Sequence, residues 1–161
     1  MNHMTHLKLP EATTEFDQQS LANIRQYGWF SIEIPEDQIG PSYVFTVGFY
    51  YSYNHPEVLV MGLEADTARV FLNAIAEGIK AGTKYIDGST DNDLASFPIA
   101  FKRISSSRYH DYLGYANWFY GSSTNGYPAV QFVWPDKAGL FPWDHGYNIG
   151  FAKRQTELWL D

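Results

Sequence analysis

Apolar and polar positions along the chain alternate with two periods. Leu21, Ile24 and Tyr27 recur at helical spacing behind Thr14 and Asp17, a start resembling a capping box with Asp for Glu. This predicts a helix over residues 15–27, stopped by a left-handed Gly28. Trp29 to Ile34 then changes to a period of two: Phe30, Ile32 and Ile34 oppose Ser31 and Glu33, as in a half-exposed strand. Tyr43 to Phe49 reads as the next strand, followed by a Tyr- and Asn-rich link. Val58 to Leu63 is apolar on both faces, which predicts a central strand. Ala68, Phe71, Leu72, Ile75 and Ile79 mark the clearest helix, over residues 66–81, with Gly82 as its stop.

Beyond it, Thr83 to Ser96 is polar and predicts a loop with a short extended piece. Phe97, Ile99 and Phe101 share one face of a strand over residues 97–104. Arg108 to Tyr120 reads as a helix with Leu113 and Trp118 inward, ended by Gly121. Tyr127 to Trp134 alternates again, with Val130, Phe132 and Trp134 opposite Gln131 and Val133. A turn at residues 135–139, an ordered aromatic loop at 141–147 and a last strand or turn at 157–160 complete the chain. Without regular βαβ alternation, this order predicts a single α+β domain over residues 13–161: a mostly antiparallel sheet packed by two or three helices. Residues 1–12 read as a flexible tail.

Composition narrows the functional classes. At 161 residues, 45% hydrophobic and 18% charged, the chain can bury a core and is unlike a disordered one. A net charge of -7 disfavours nucleic acid, since the one near-cluster of cations is Lys102, Arg103 and Arg108. No apolar run reaches bilayer length, and residues 1–8 lack the pattern of a secretory signal, so the expected setting is the cytoplasm, off the membrane. Zero Cys removes thiolate chemistry and disulfides.

Candidate chemistry centres on His55-Pro56-Glu57, at the entry to the apolar strand. Glu57 beside His55 suits a base or ligand and its orienter, while a rigid Pro turn is the structural alternative. His55, His110 and His145 form a weak metal set, because no two share a helix face. The hydroxyls of Ser31, Ser42, Ser52 and Ser122 lie on no Gly-x-Ser-x-Gly elbow, and neither dinucleotide nor P-loop glycine motif occurs. Twelve Tyr and five Trp exceed what a core takes with every polar tip partnered. Tyr51, His55, Glu57, Trp134, Trp143, Asp144 and His145, if gathered at one end of the sheet, would form a wall for a small planar ligand or a protein partner. A homodimer is compatible with the aromatic surplus, and no cofactor is specified.

Several motifs together carry a resemblance: Tyr27-Gly28-Trp29, Phe45-Thr46-Val47-Gly48-Phe49, His55-Pro56-Glu57, Gly62-Leu63 and Leu72-Asn73 with Gly82. To these add Tyr115 to Tyr120, Tyr127-Pro128-Ala129-Val130-Gln131, and Trp134 to Trp143. From Ile24 to Trp143 the chain resembles a bacterial family known as domain of unknown function four-two-six-two. The resemblance implies a small soluble bacterial protein and brings no catalytic residue with it; His55 and Glu57 match its motif, whereas His110 and His145 fall in variable parts. The element order also loosely resembles α+β toxin-immunity modules, which bind a partner. A non-enzymatic binding module is the first expectation, and a hydrolase-like or metal-dependent enzyme at His55 and Glu57 the second.

Overall fold

Thr14 caps the first helix, α1 (Glu15–Tyr27), by accepting the Asp17 N–H at 3.0 Å. The Asp17 carboxylate accepts the backbone N–H of Thr13 and the hydroxyl of Tyr115, which holds its pKa at about 2. The computed structural model describes residues 7–121 and 126–161, so His3, His6 and Ser122 lie outside the described residues. Leu7, Leu9 and Ala12 rest against the core.

Five strands of five residues, β1 (Phe30–Ile34), β2 (Tyr43–Val47), β3 (Glu57–Met61), β5 (Ile99–Arg103) and β6 (Ala129–Val133), join a short β4 (Thr90–Asp91) in one sheet. The order is β1-β2-β3-β6-β5-β4, antiparallel except where β3 and β6 run side by side in the same direction. Strand β3 is central because all five residues are buried, as its apolar run requires. On one face Val44, Val58, Val60, Val130 and Phe132 pack under Leu72 and Ile75 of α3 (Ala65–Lys80). On the other, Phe45, Val47, Leu59 and Met61 pack under α1 and under Leu113, Ala116 and Phe119. This is the expected mostly antiparallel α+β fold.

Three local features differ from the sequence reading. The Tyr- and Asn-rich link is a short helix, α2 (Phe49–Tyr53), so β2 ends two residues early. The helix expected over residues 108–120 is a 3-10 turn followed by α4 (Tyr109–Tyr112) and α5 (Gly114–Tyr120), broken at Leu113 with φ -119° and ψ 33°. Strand β6 does not alternate between core and solvent. Gln131 is fully buried, with Nε2 donating to Thr156 O and Oε1 accepting from Leu158 N. The C-terminal segment, which is a turn at its end, covers it and satisfies its amide.

Candidate functional site

Glu57 opens β3 and is fully buried, with no cation bonded to it among the described residues. Five donors converge on its carboxylate instead. Oε1 accepts from Thr46 Oγ1 at 2.7 Å and Phe49 N at 3.0 Å. Oε2 accepts from Gly48 N at 3.0 Å, from Tyr50 N at 3.2 Å and from the Tyr120 hydroxyl. The proton positions are fixed by the next bonds out. Thr46 Oγ1 takes the Val58 N–H, and the Tyr120 hydroxyl takes the Tyr51 N–H, so each has its own proton free for Glu57. Burial pushes the Glu57 pKa up, while Tyr120, Thr46 and the backbone donors pull against it. Gly48 makes this convergence possible: at φ 118° it turns the chain so that three successive N–H groups face one carboxylate.

His55 is also buried, and both ring nitrogens are engaged. Nε2 must accept from the Tyr85 N–H at 3.0 Å, which leaves the proton on Nδ1 to donate to Pro56 O at 2.8 Å. Burial lowers its pKa. The ring therefore fastens the loop after α3 to the entry of β3, and shares no hydrogen bond with Glu57. Since the unfolded chain binds a proton at the ordinary value of 6.5 and the folded one resists it, the His55 contribution is present above that pH and lost below it. Unfolding free energy measured in urea should thus fall from pH 7 to pH 5, by at most about 1.4 kcal/mol per pH unit from this group. His55→Gln should flatten that slope; an unchanged slope would remove His55 as its source.

The other sequence candidates are dispersed. Because β6 runs parallel to β3, with Glu57 opposite Ala129, Trp134 lies at the far end of the sheet from Glu57, about 16 Å along the strand. Trp134 is buried and donates from Nε1 to Met61 O at 2.8 Å. Tyr51 is half-buried on the Glu57 side, edge-on to Phe119. Trp143 is exposed and stacks on Phe141, with the Lys102 ammonium 4.4 Å from its ring centre. Asp144 closes that turn by accepting Phe141 N, and His145 is exposed beside it. His110 is exposed with Asp111. Among the described residues, no three His, Cys, Asp or Glu side chains are grouped to hold a metal ion.

One cleft does adjoin the Glu57 network. Tyr50, Tyr120, Tyr127 and Tyr109 form a row of ring contacts, the tightest being Tyr120 on Tyr127 at 4.5 Å. Tyr50, Tyr109 and Tyr127 line a cavity of about 710 Å³ together with Lys102, Arg103, Ser106 and Trp159, a size suited to a small ligand. Sequence reasoning noted Lys102 and Arg103 only as a weak cationic cluster, and did not single out Thr46, Gly48 or Tyr120 as partners of Glu57. The available signal was an acidic residue opening an apolar strand: a buried carboxylate must find donors. A long-range partner such as Tyr120 leaves no local pattern.

The family model described as a domain of unknown function, DUF4262, matches residues 23–148. No curated protein and no solved structure matches the chain. No helix among the described residues is long and apolar enough to cross a membrane.

Proposed function

For this chain, which belongs to the domain-of-unknown-function family DUF4262, we propose a non-enzymatic binding module whose ligand occupies the cleft beside Glu57. The observation that carries this reading is the contrast between the two regions. Both nitrogens of His55 and both oxygens of Glu57 are committed to internal hydrogen bonds, so the motif acts as a rigid wall. The adjoining cleft, in contrast, presents cationic and aromatic side chains around open volume. Zero Cys is compatible with work in the cytoplasm.

A ligand-observed NMR screen with small flat fragments tests the proposal. Wild type should give hits that Ser106→Trp, a bulky change at an exposed cleft position, abolishes without lowering the thermal midpoint. Failure to find any hit, or hits indifferent to Ser106→Trp, would dispose of the cleft as the binding site.

A further inference from the structure

We infer that the outer edge of β1, at the floor of a groove between α1 and α3, takes an extended, uncharged segment of a partner protein as an added strand. This site is separate from the cleft beside Glu57 and does not depend on it.

The sheet ends at β1, and its ladder leaves particular groups over. Gly62 N donates to Ser42 O at 2.9 Å, so on β2 Val44 bonds toward β3, and its neighbours Tyr43, Phe45 and Val47 bond toward β1. Their partners across the ladder are Ile34, Ile32 and Phe30. Ser31 and Glu33 therefore turn their backbone N–H and C=O outward, and no described residue bonds to those groups. The β1–β2 register is unbroken, so no bulge twists this edge away, and residues 30–34 hold no Pro or Lys to blunt it. Such an edge is a template for a further strand.

The flanking helices limit what can reach it. Phe16, Ser20, Asn23 and Tyr27 run as a stripe along α1, on one side of a groove of about 740 Å³. Asn73 and Ala76 of α3 stand on the other side, with Ser31 between the two walls. Arg69 of α3 crosses to Glu33 and is held by Asp66 at 2.9 Å, which bounds the groove at that end. A second copy of the chain brings its own α1 and α3 alongside its β1. Helix would then meet helix before the strands came within the roughly 4.8 Å of a ladder. A bare extended segment carries no such walls.

Charge and surface set the chemistry of the segment. The ionised groups of the lining, Glu77 and Lys80, pair with each other at 3.6 Å. A charged residue entering the groove would lose water without gaining a counter-charge, whereas an uncharged one can bond the edge and the wall amides. Phe16 and Tyr27 are each more than half exposed. In an added strand, alternate side chains go to opposite faces, so apolar residues would cover these rings while small polar ones meet Asn73.

Amide NMR titration of the isotope-labelled full chain tests this with a blocked peptide of alternating valine and threonine, as long as β1. Shifts should centre on the amides of Ser31 and Glu33. Methylating the peptide nitrogens of one alternate set should abolish binding, and methylating the other should leave it unchanged, because one set alone faces β1. Ser31→Pro removes an outward N–H and no ladder bond, so it should weaken binding by about tenfold or more at an unchanged thermal midpoint. Should the proline disturb β1, Asn23→Trp, which fills the groove from the helix, is expected to give the same loss. If neither methylated set loses affinity and Ser31→Pro binds as wild type does, strand addition is refuted. A peptide with lysine for threonine that binds equally well would overturn the uncharged class. An unchanged spectrum at millimolar peptide overturns the partner segment; if dilution then reveals a dimer that Ser31→Pro dissolves, the edge belongs to a second copy instead.

Discussion

Glu57→Gln should destabilise the protein by about 3–5 kcal/mol in urea unfolding, the range expected when a buried, fully hydrogen-bonded charge is broken by removing one partner. The amide keeps one acceptor oxygen and places two donors where the other stood. Turning that oxygen to the side of Gly48, Tyr50 and Tyr120 leaves the amide N–H groups facing Thr46 and the Phe49 N–H. Thr46 can rotate to accept; the Phe49 N–H cannot, and stays buried without a partner. Turning it the other way strands two backbone N–H groups, those of Gly48 and Tyr50, instead of one. Tyr120→Phe should cost less, about 1.5–3 kcal/mol, since it removes one charged hydrogen bond and the acceptor of the Tyr51 N–H. A Glu57→Gln loss below about 1 kcal/mol would show that the carboxylate is not what ties β2, α2, β3 and α5 together.

Gly48→Ala is expected to cost about 3 kcal/mol or more. At φ 118° an L-residue is strained, and the new Cβ would lie 2.5 Å from Gly28 O and 2.7 Å from the Cα of Trp29, both backbone atoms that cannot swing aside. The end of α1 would have to move off the turn that feeds Glu57. Gly82→Ala separates the two causes, because Gly82 also has a positive φ of 99° but nothing within 4 Å of the added Cβ. Equal losses in the two variants, measured by the same urea titration, would show that the close approach at Gly48 carries no energy of its own.

Local pattern and long-range arrangement divide this protein in a physically intelligible way. Helix α1 was legible with its Thr14 cap and Gly28 stop, and α3 from its apolar repeat, because caps and helical faces are set by residues within one or two turns. Strand β3 was legible as central because a run without a polar face has to be covered on both sides. The position of a polar cluster at the start of β3 could also be read directly. Strand β6 shows where such reading stops: its Gln131, and Gln155 from the C-terminal segment that packs on its end, look solvent-facing by type, yet each is buried against backbone groups distant in sequence. The parallel pairing of β3 with β6 sends Trp134 to one end of the sheet and Glu57 to the other, and no alternation within either strand encodes that direction.

From residue order alone came the α+β class, the central strand, the two long helices and the His55-Pro56-Glu57 position, each fixed by interactions between near neighbours. The tertiary structure decided that five donors rather than a cation satisfy Glu57, that His55 latches a loop, and that Lys102, Arg103 and three tyrosines meet around one cleft. Those outcomes depend on contacts such as Tyr120 to Glu57, whose partners stand 63 residues apart, and they exist only once the sheet has brought them together.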